Sequence, residues 1–139
     1  MTKVKIAFDL DGVLIPDYNQ IPNTSDHEFF MQTLYAKPLF NPDYDFDIVT
    51  ARVEKWRAIT ETWLRQLKKY PINVFLKETS LEESPAEYKY RISKNQNYKI
   101  FIESDFVIVQ EMKKLIKNDN LDIDVIHYDS WVSNNIKRR

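Results

Sequence analysis

The sequence predicts an α/β protein, a doubly wound parallel sheet of five strands with helices on both faces, and three observations lead there. Apolar runs of four to six residues alternate along the chain with amphipathic stretches at helical period, the pattern of βαβ units joined by right-handed crossovers. Each run ends in a charged or hydroxyl residue, as strands do when they emerge at one edge of a buried sheet. The 139 residues are 43% hydrophobic and 14% aromatic, enough for one folded domain over 1–139 and too few for a second.

The first run, Ile6-Ala7-Phe8-Asp9-Leu10-Asp11-Gly12-Val13-Leu14, follows charged Lys3 and Lys5 and breaks at two carboxylates and a glycine. It reads as a buried strand delivering Asp9 and Asp11 to its carboxyl tip. Average usage would put roughly ten glycines in such a chain. There is one, Gly12, so the backbone there needs positive φ or a close approach to a ligand. Carboxylates spaced i, i+2 at a strand end suit phosphate chemistry, one attacking phosphorus beside a hard cation and the other moving the proton. An Asx turn closing the strand is the competing reading.

Residues 15–22 hold two prolines and no period, so they form a loop. Asn23-Thr24-Ser25-Asp26 opens a helix, with Ser25 and Glu28 as a capping box. Phe29, Phe30, Leu34 and Tyr35 are expected to face inward, and the helix to end before Pro38. A second strand over 46–50 follows the Pro42-Asp43 turn. Val53, Trp56, Ile59, Trp63, Leu64 and Leu67 form the apolar stripe of the next helix, which Pro71 is expected to stop. A third strand covers 72–76. Ser84-Pro85-Ala86-Glu87 combines a cap, a proline at the first helical position and an acid at the third, opening a helix to about Lys94. The fourth strand, 98–102, ends in Glu103-Ser104-Asp105. Phe106, Val109, Met112, Leu115 and Ile116 mark a fourth helix, 123–126 a fifth strand, and the tail from Ser130 one short helical turn.

The net charge of −1 sets up no global field for nucleic acid or anionic membrane, so any anion site is local. The absence of cysteine removes disulfides, thiolate metal sites and cysteine nucleophiles together. His27 and His127 are too isolated for a histidine-rich metal centre. No apolar run approaches the roughly 20 residues of a membrane span, and Asp9 interrupts the first apolar segment before a secretory core could form. The expectation is a soluble, cytoplasmic protein with no membrane partner.

Phe8-Asp9-Leu10-Asp11-Gly12-Val13-Leu14 resembles the first motif of the haloacid dehalogenase (HAD) superfamily of phosphatases and phosphotransferases, DxDG followed by small or apolar residues. The resemblance covers roughly Lys3 to Lys117. It implies a Rossmann-like sheet of order 5-4-1-2-3, which brings Thr50 and Glu103 beside Asp9. It also implies a short flap at about 13–36 in place of a separate cap domain. Asp47-Ile48-Val49-Thr50-Ala51-Arg52 resembles the second motif, in which the Thr50 hydroxyl and the Ala51 N–H hold a phosphoryl oxygen without adding charge. Arg52 then grips a distal anionic part of the substrate; a threonine capping the next helix and a solvated arginine in its first turn are the alternatives. The family's third motif is a lysine, here Lys89 or Lys94. Crossover helices run antiparallel to the strands, so Lys94 lies roughly 7.5 Å deeper than Lys89 at 1.5 Å per residue, and Lys89 is preferred. Glu103-Ser104-Asp105 resembles the fourth motif, acids that complete a Mg²⁺ site with Asp9 and Asp11. Which of Glu103 and Asp105 touches the metal stays open, because Asp105 also suits an N-cap.

The resemblance thus implies a Mg²⁺-dependent phosphomonoester hydrolase. Asp9 is the nucleophile and Asp11 the acid and base, while Thr50, Lys89 and backbone N–H groups from Leu10 to Gly12 hold the phosphoryl oxygens. An open site suits a bulky substrate such as a nucleotide, a nucleic-acid end or a phosphoprotein, or else a partner subunit closes it in a homo-oligomer. Tyr18, Tyr44 and Arg52, offering stacking and an anion grip, tilt the reading toward nucleotides. Lys137-Arg138-Arg139 is a short basic end for nucleic acid or a frayed tail. Two rivals stand beside this reading. One is a catalytically inactive HAD-fold binding or regulatory module. The other is a receiver domain, which also uses strand-tip acids, Thr and Lys, but whose lone phosphorylated aspartate has no counterpart at the end of the third strand.

Overall fold

The computed structural model describes residues 4–17, 25–80 and 82–136. Tyr18, Asn23, Thr24 and the basic end Lys137-Arg138-Arg139 lie outside the described residues. In chain order the elements are β1 (Ile6–Phe8), α1 (Asp26–Tyr35), β2 (Asp47–Val53), a 3-10 turn (Glu54–Trp56) and α2 (Arg57–Leu64). There follow β3 (Val74–Lys77), α3 (Pro85–Gln96), β4 (Ile100–Glu103), α4 (Phe106–Asn118), β5 (Asp124–His127) and α5 (Tyr128–Ile136). All pairings are parallel and the order is β3-β2-β1-β4-β5, the expected doubly wound sheet. The strand order reverses at central β1, so the ligand crevice of such a sheet opens beside its tip. A receiver-type order of 2-1-3-4-5 is excluded.

Period-2 alternation decides which side chain meets which helix. Ala7, Val49, Phe101 and Val125 point to one face, under Tyr88 and Ile92 of α3 and Val109, Met112 and Ile116 of α4. Phe8, Ile48 and Ile102 point to the other, against Trp63 and Leu64 of α2 and Trp131 of α5. The register sets Phe8 between Ile48 and Ile102, so the shortest strand is also the best covered. Trp63 is fully buried and donates its indole N–H to the Ala36 carbonyl at 2.9 Å. Burial of a side chain this large contributes about 3 kcal/mol and ties α2 to the chain leaving α1. Ser84 and Glu87 form the expected reciprocal capping box, and Ser25 accepts the Glu28 N–H.

Four expectations are corrected. First, β2 continues past Thr50 because Val53 pairs with Lys77 beyond a register irregularity. The helix therefore begins only after the 3-10 turn, and Val53 and Trp56 line a pocket instead of the core stripe. Second, α2 ends at Leu64, well before Pro71, where the Arg65, Gln66 and Leu67 N–H groups each reach back three residues. That tightened end returns Leu67 to the core. Third, α1 buries only Thr33, leaving Phe30, Leu34 and Tyr35 exposed, because the face it turns inward meets Arg52. Fourth, the tail is a nine-residue helix, α5, held by Trp131 with ring centroids 5.4 Å from Phe8 and 4.7 Å from Phe40. No described helix is long and apolar enough to cross a membrane.

Candidate active site

The carboxyl edge of the sheet carries a pocket of about 410 Å³ lined by Asp9, Asp11, Thr50, Arg52, Lys89 and Glu103 among others. Asp9 is the first residue past β1 and is buried; its N–H bonds the Ile102 carbonyl at 2.8 Å, locking the tip to β4. Beyond it the chain winds tightly, with the Val13, Leu14 and Ile15 N–H groups all directed at the Leu10 carbonyl. Gly12 makes the turn at φ +84°, and a Cβ there would stand 2.7 Å from Ser104 Oγ. Both reasons given for the lone glycine thus hold in part: the backbone is left-handed and it is approached closely, by protein.

Lys89 reaches the site from the second turn of α3. Its Nζ lies 3.1 Å from Asp9 Oδ1 and 2.5 Å from Glu103 Oε1, and the side chain is 2% exposed. Lys94 lies on the exposed face of α3, so the two lysines are separated by helix face and not by the depth expected to decide between them. Burial pushes the Asp9 carboxyl up, to about 7, against the pull of Lys89 and with Glu103 adding to the rise. For Lys89 itself burial works against the charged form, but Asp9 and Glu103 outweigh it and hold the ammonium well above the usual lysine range. The triad shares charge at a nearly buried position in the pocket lining, the condition under which a missing partner is costly.

Glu103 is held by protein at both carboxylate oxygens. One oxygen is committed to Lys89 and the other accepts the Asp105 N–H at 3.0 Å. Asp105 caps α4 through Oδ1, toward the N–H groups of Val107 and Ile108, and also lines the pocket. Ser104, between them, lines the same pocket. Ser104 Oγ stands 3.2 Å from Asp9 Oδ2 and 2.9 Å from the Asp11 carbonyl, so one hydroxyl bridges the two oxygens. No sequence signal marks it, since a serine between acids is common in turns.

Thr50 is buried at the middle of β2 and its hydroxyl accepts the Arg52 N–H at 3.1 Å; it caps no helix. Arg52 lies in the same strand, neither solvated nor in a helical turn. Its guanidinium meets Asp11 through two contacts, Nε to Oδ2 at 2.9 Å and Nη2 to Oδ1 at 2.8 Å, and Nη1 reaches the hydroxyls of Thr33 and Thr60, each at 3.2 Å. The Phe29 ring covers it at 4.7 Å. Thr33 and Thr60 went unread because a threonine within a helical stretch ordinarily faces water. Tyr44 is displaced from the proposed stacking role: it lines a separate cavity of about 580 Å³ at the amino edge of the sheet, with Val4, Asp47 and Tyr98.

Five carboxylates line the pocket at the carboxyl edge, Asp9, Asp11, Asp17, Glu103 and Asp105, against two cations, Arg52 and Lys89. Burial raises the Asp17 pKa, and Asp11, Asp9 and Asp105 add to the rise. Among the described residues no three acidic, histidine or cysteine side chains gather into a ready cage for a metal ion. In comparisons with known proteins, no family model, curated protein or solved structure matches the chain. What the pocket can do therefore rests on its own geometry.

Proposed function

We propose that this chain is a Mg²⁺-dependent phosphomonoester hydrolase of the haloacid dehalogenase type, acting through an aspartyl-phosphate. The observation that carries the reading is the convergence on Asp9 of groups from distant segments. Lys89 sits on one carboxylate oxygen and Ser104 on the other, and Thr50 and Asp11 line the same cavity. A buried, partly neutralised carboxylate at the switch point of a parallel sheet is where a nucleophile for an anionic substrate belongs.

The donor set fits a small hard cation. Mg²⁺ prefers one or two carboxylates with water and carbonyl oxygens over a cage of acids, and the surplus of negative charge in the pocket needs an offset before a phosphate can enter. Asp9, the Asp11 carbonyl and Asp105 would hold it. When bound, the ion supplies the positive charge that lets the phosphoryl group approach Asp9.

In the first step an Asp9 oxygen bonds to phosphorus, the ester P–O bond breaks, and Asp11 gives a proton to the departing oxygen. In the second, Asp11 takes a proton from water as that water attacks phosphorus, the bond to Asp9 breaks, and inorganic phosphate leaves. Lys89 and Thr50 hold charge and oxygens in place throughout. The two-point contact with Arg52 fixes where the Asp11 carboxylate stands beside Asp9.

The test is a screen of phosphomonoesters with and without Mg²⁺, comparing wild type with Asp9→Asn. Turnover that needs Mg²⁺ and disappears in the folded Asp9→Asn protein is expected. Full activity in that variant would rule out the nucleophile assignment.

A further inference from the structure

The geometry points to a base-stacking wall, Phe29 with Trp56, that makes nucleoside monophosphates the substrate class of this pocket. The inference rests on the phosphohydrolase reading of Asp9 and extends it to what lies beyond the phosphoryl group. Phe29, in the first turn of α1, and Trp56, at the end of the 3-10 turn, meet with ring centroids 4.6 Å apart at 42°. Both line the pocket that holds Asp9. Neither belongs to either core cluster, and both remain half-buried. Two large aromatic side chains left outside the core, 27 positions apart in the chain, line the cavity that also holds its charged groups. Val53 and Ile108 add apolar surface to the same cavity.

The size is right for more than a phosphate. Small-molecule sites run from about 300 to 1,000 Å³ and combine apolar or aromatic walls with a few fixed polar groups. The cavity here, about 410 Å³, has that division of labour. Asp9, Thr50 and Lys89 supply its polar groups, and Phe29 and Trp56 supply aromatic surface in the same cavity. Every base offers a π-face to such a wall, and a saturated sugar or alkyl ester does not.

Charge separates a mononucleotide from a polynucleotide. A chain of phosphates needs a basic groove that tracks its backbone. The two cations lining this pocket are already engaged, Arg52 on Asp11 and Lys89 on Asp9 and Glu103, and outside the lining Lys55, 4.9 Å from the Trp56 ring, is paired with Asp26 at 3.1 Å. With Asp17 and Asp105 also lining the pocket, the surroundings suit one phosphoryl group and repel a second.

The experiment compares kcat/KM for a set of nucleoside monophosphates with that for ribose 5-phosphate, in wild type, Trp56→Ala and Trp56→Phe. Stacking on one aromatic residue contributes about tenfold in binding. Wild type should therefore favour nucleotides by about that factor or more, Trp56→Ala should bring the ratio close to one, and Trp56→Phe should restore most of it. A ratio near one in wild type, or one that survives Trp56→Ala, overturns the inference. A single-stranded oligonucleotide with a terminal phosphate forms the third arm, and preference for it over mononucleotides also overturns the inference. Quenching of tryptophan fluorescence by nucleoside monophosphate and not by ribose 5-phosphate, lost in Trp56→Phe, reads the wall without turnover. If no ester is hydrolysed and quenching is seen, the hydrolase reading fails alone; if esters are hydrolysed without base preference or quenching, the wall fails alone.

Discussion

Arg52 holds both carboxylate oxygens of Asp11 from a strand 41 residues further along the chain, at 2.9 and 2.8 Å, with its side chain 4% exposed. Removing one member of a buried ion pair strands the other, at a cost of several kcal/mol. Asp11 keeps some contact with water, its side chain being 27% exposed, so Arg52→Ala should destabilise the fold by about 3 kcal/mol, the low end for such pairs. Arg52→Lys keeps the charge but not the planar fork and should recover less than half of that loss. Urea unfolding of the three proteins decides it. Equal stability of Arg52→Lys and wild type would mean that the two-point contact contributes nothing.

Lys89 balances two buried acids at once. Lys89→Met should cost about 3–5 kcal/mol, because Asp9 and Glu103 are left together without a cation. Adding Glu103→Gln removes one of the stranded charges, so the double variant should be more stable than Lys89→Met alone. A double-mutant cycle measures the coupling, expected to exceed about 1 kcal/mol for side chains in contact. Simple additivity would show that the 2.5 Å contact carries no energy.

The raised Asp9 pKa makes stability depend on pH with a definite sign. Burial lifts the group from 3.8 unfolded to about 7 folded, so between those values the folded protein holds a proton that the unfolded chain has lost. This contribution is fully present below about 4 and disappears as pH rises through about 7. Asp9→Asn cannot ionise. Its stability relative to wild type should therefore climb from pH 5 to pH 8 in metal-free buffer, while Lys89 keeps its proton throughout. A flat difference across that window removes Asp9 as the titrating group.

Magnesium should act on the same residue. A ligand that binds only the folded state raises the melting temperature by mass action. Millimolar Mg²⁺ is expected to stabilise wild type, with the shift reversed by chelator and largely absent in Asp9→Asn. An equal shift in both proteins would place the ion elsewhere.

Gly12→Ala tests the turn beneath the site. Its φ of +84° and the 2.7 and 2.8 Å approaches to Ser104 Oγ and Cβ combine a left-handed backbone with a clash. The left-handed conformation alone costs a side chain roughly 1–2 kcal/mol, so the total loss should be about 2 kcal/mol or more. Ser104→Gly in the same background clears both colliding atoms and should return only the steric part. Complete recovery would show that backbone conformation costs nothing there.

The element pattern was legible because it is local. The short apolar runs in 46–50 and 98–102, the Ser84 capping box and the single glycine each depend on residues within one turn or one strand. Element ends were less so: β2 runs on to Val53 because β3 offers it a partner, and α2 stops at Leu64 although the stripe continues. The inward face of α1 was misread because Phe30 and Tyr35 outrank Thr33 in hydrophobicity, yet a buried guanidinium needed the hydroxyl.

From the amino-acid order alone came the alternating strands and helices and the acids at the tip of the first strand, because periodicity is a property of neighbouring residues. The tertiary structure alone decided how the charges pair: Glu103 on Lys89, Asp11 on Arg52, Ser104 across Asp9 and the Asp11 carbonyl. Those partners are 14 to 95 residues apart, and a carboxylate takes the cation that the packed sheet brings within 3 Å, a distance that no spacing in the chain encodes.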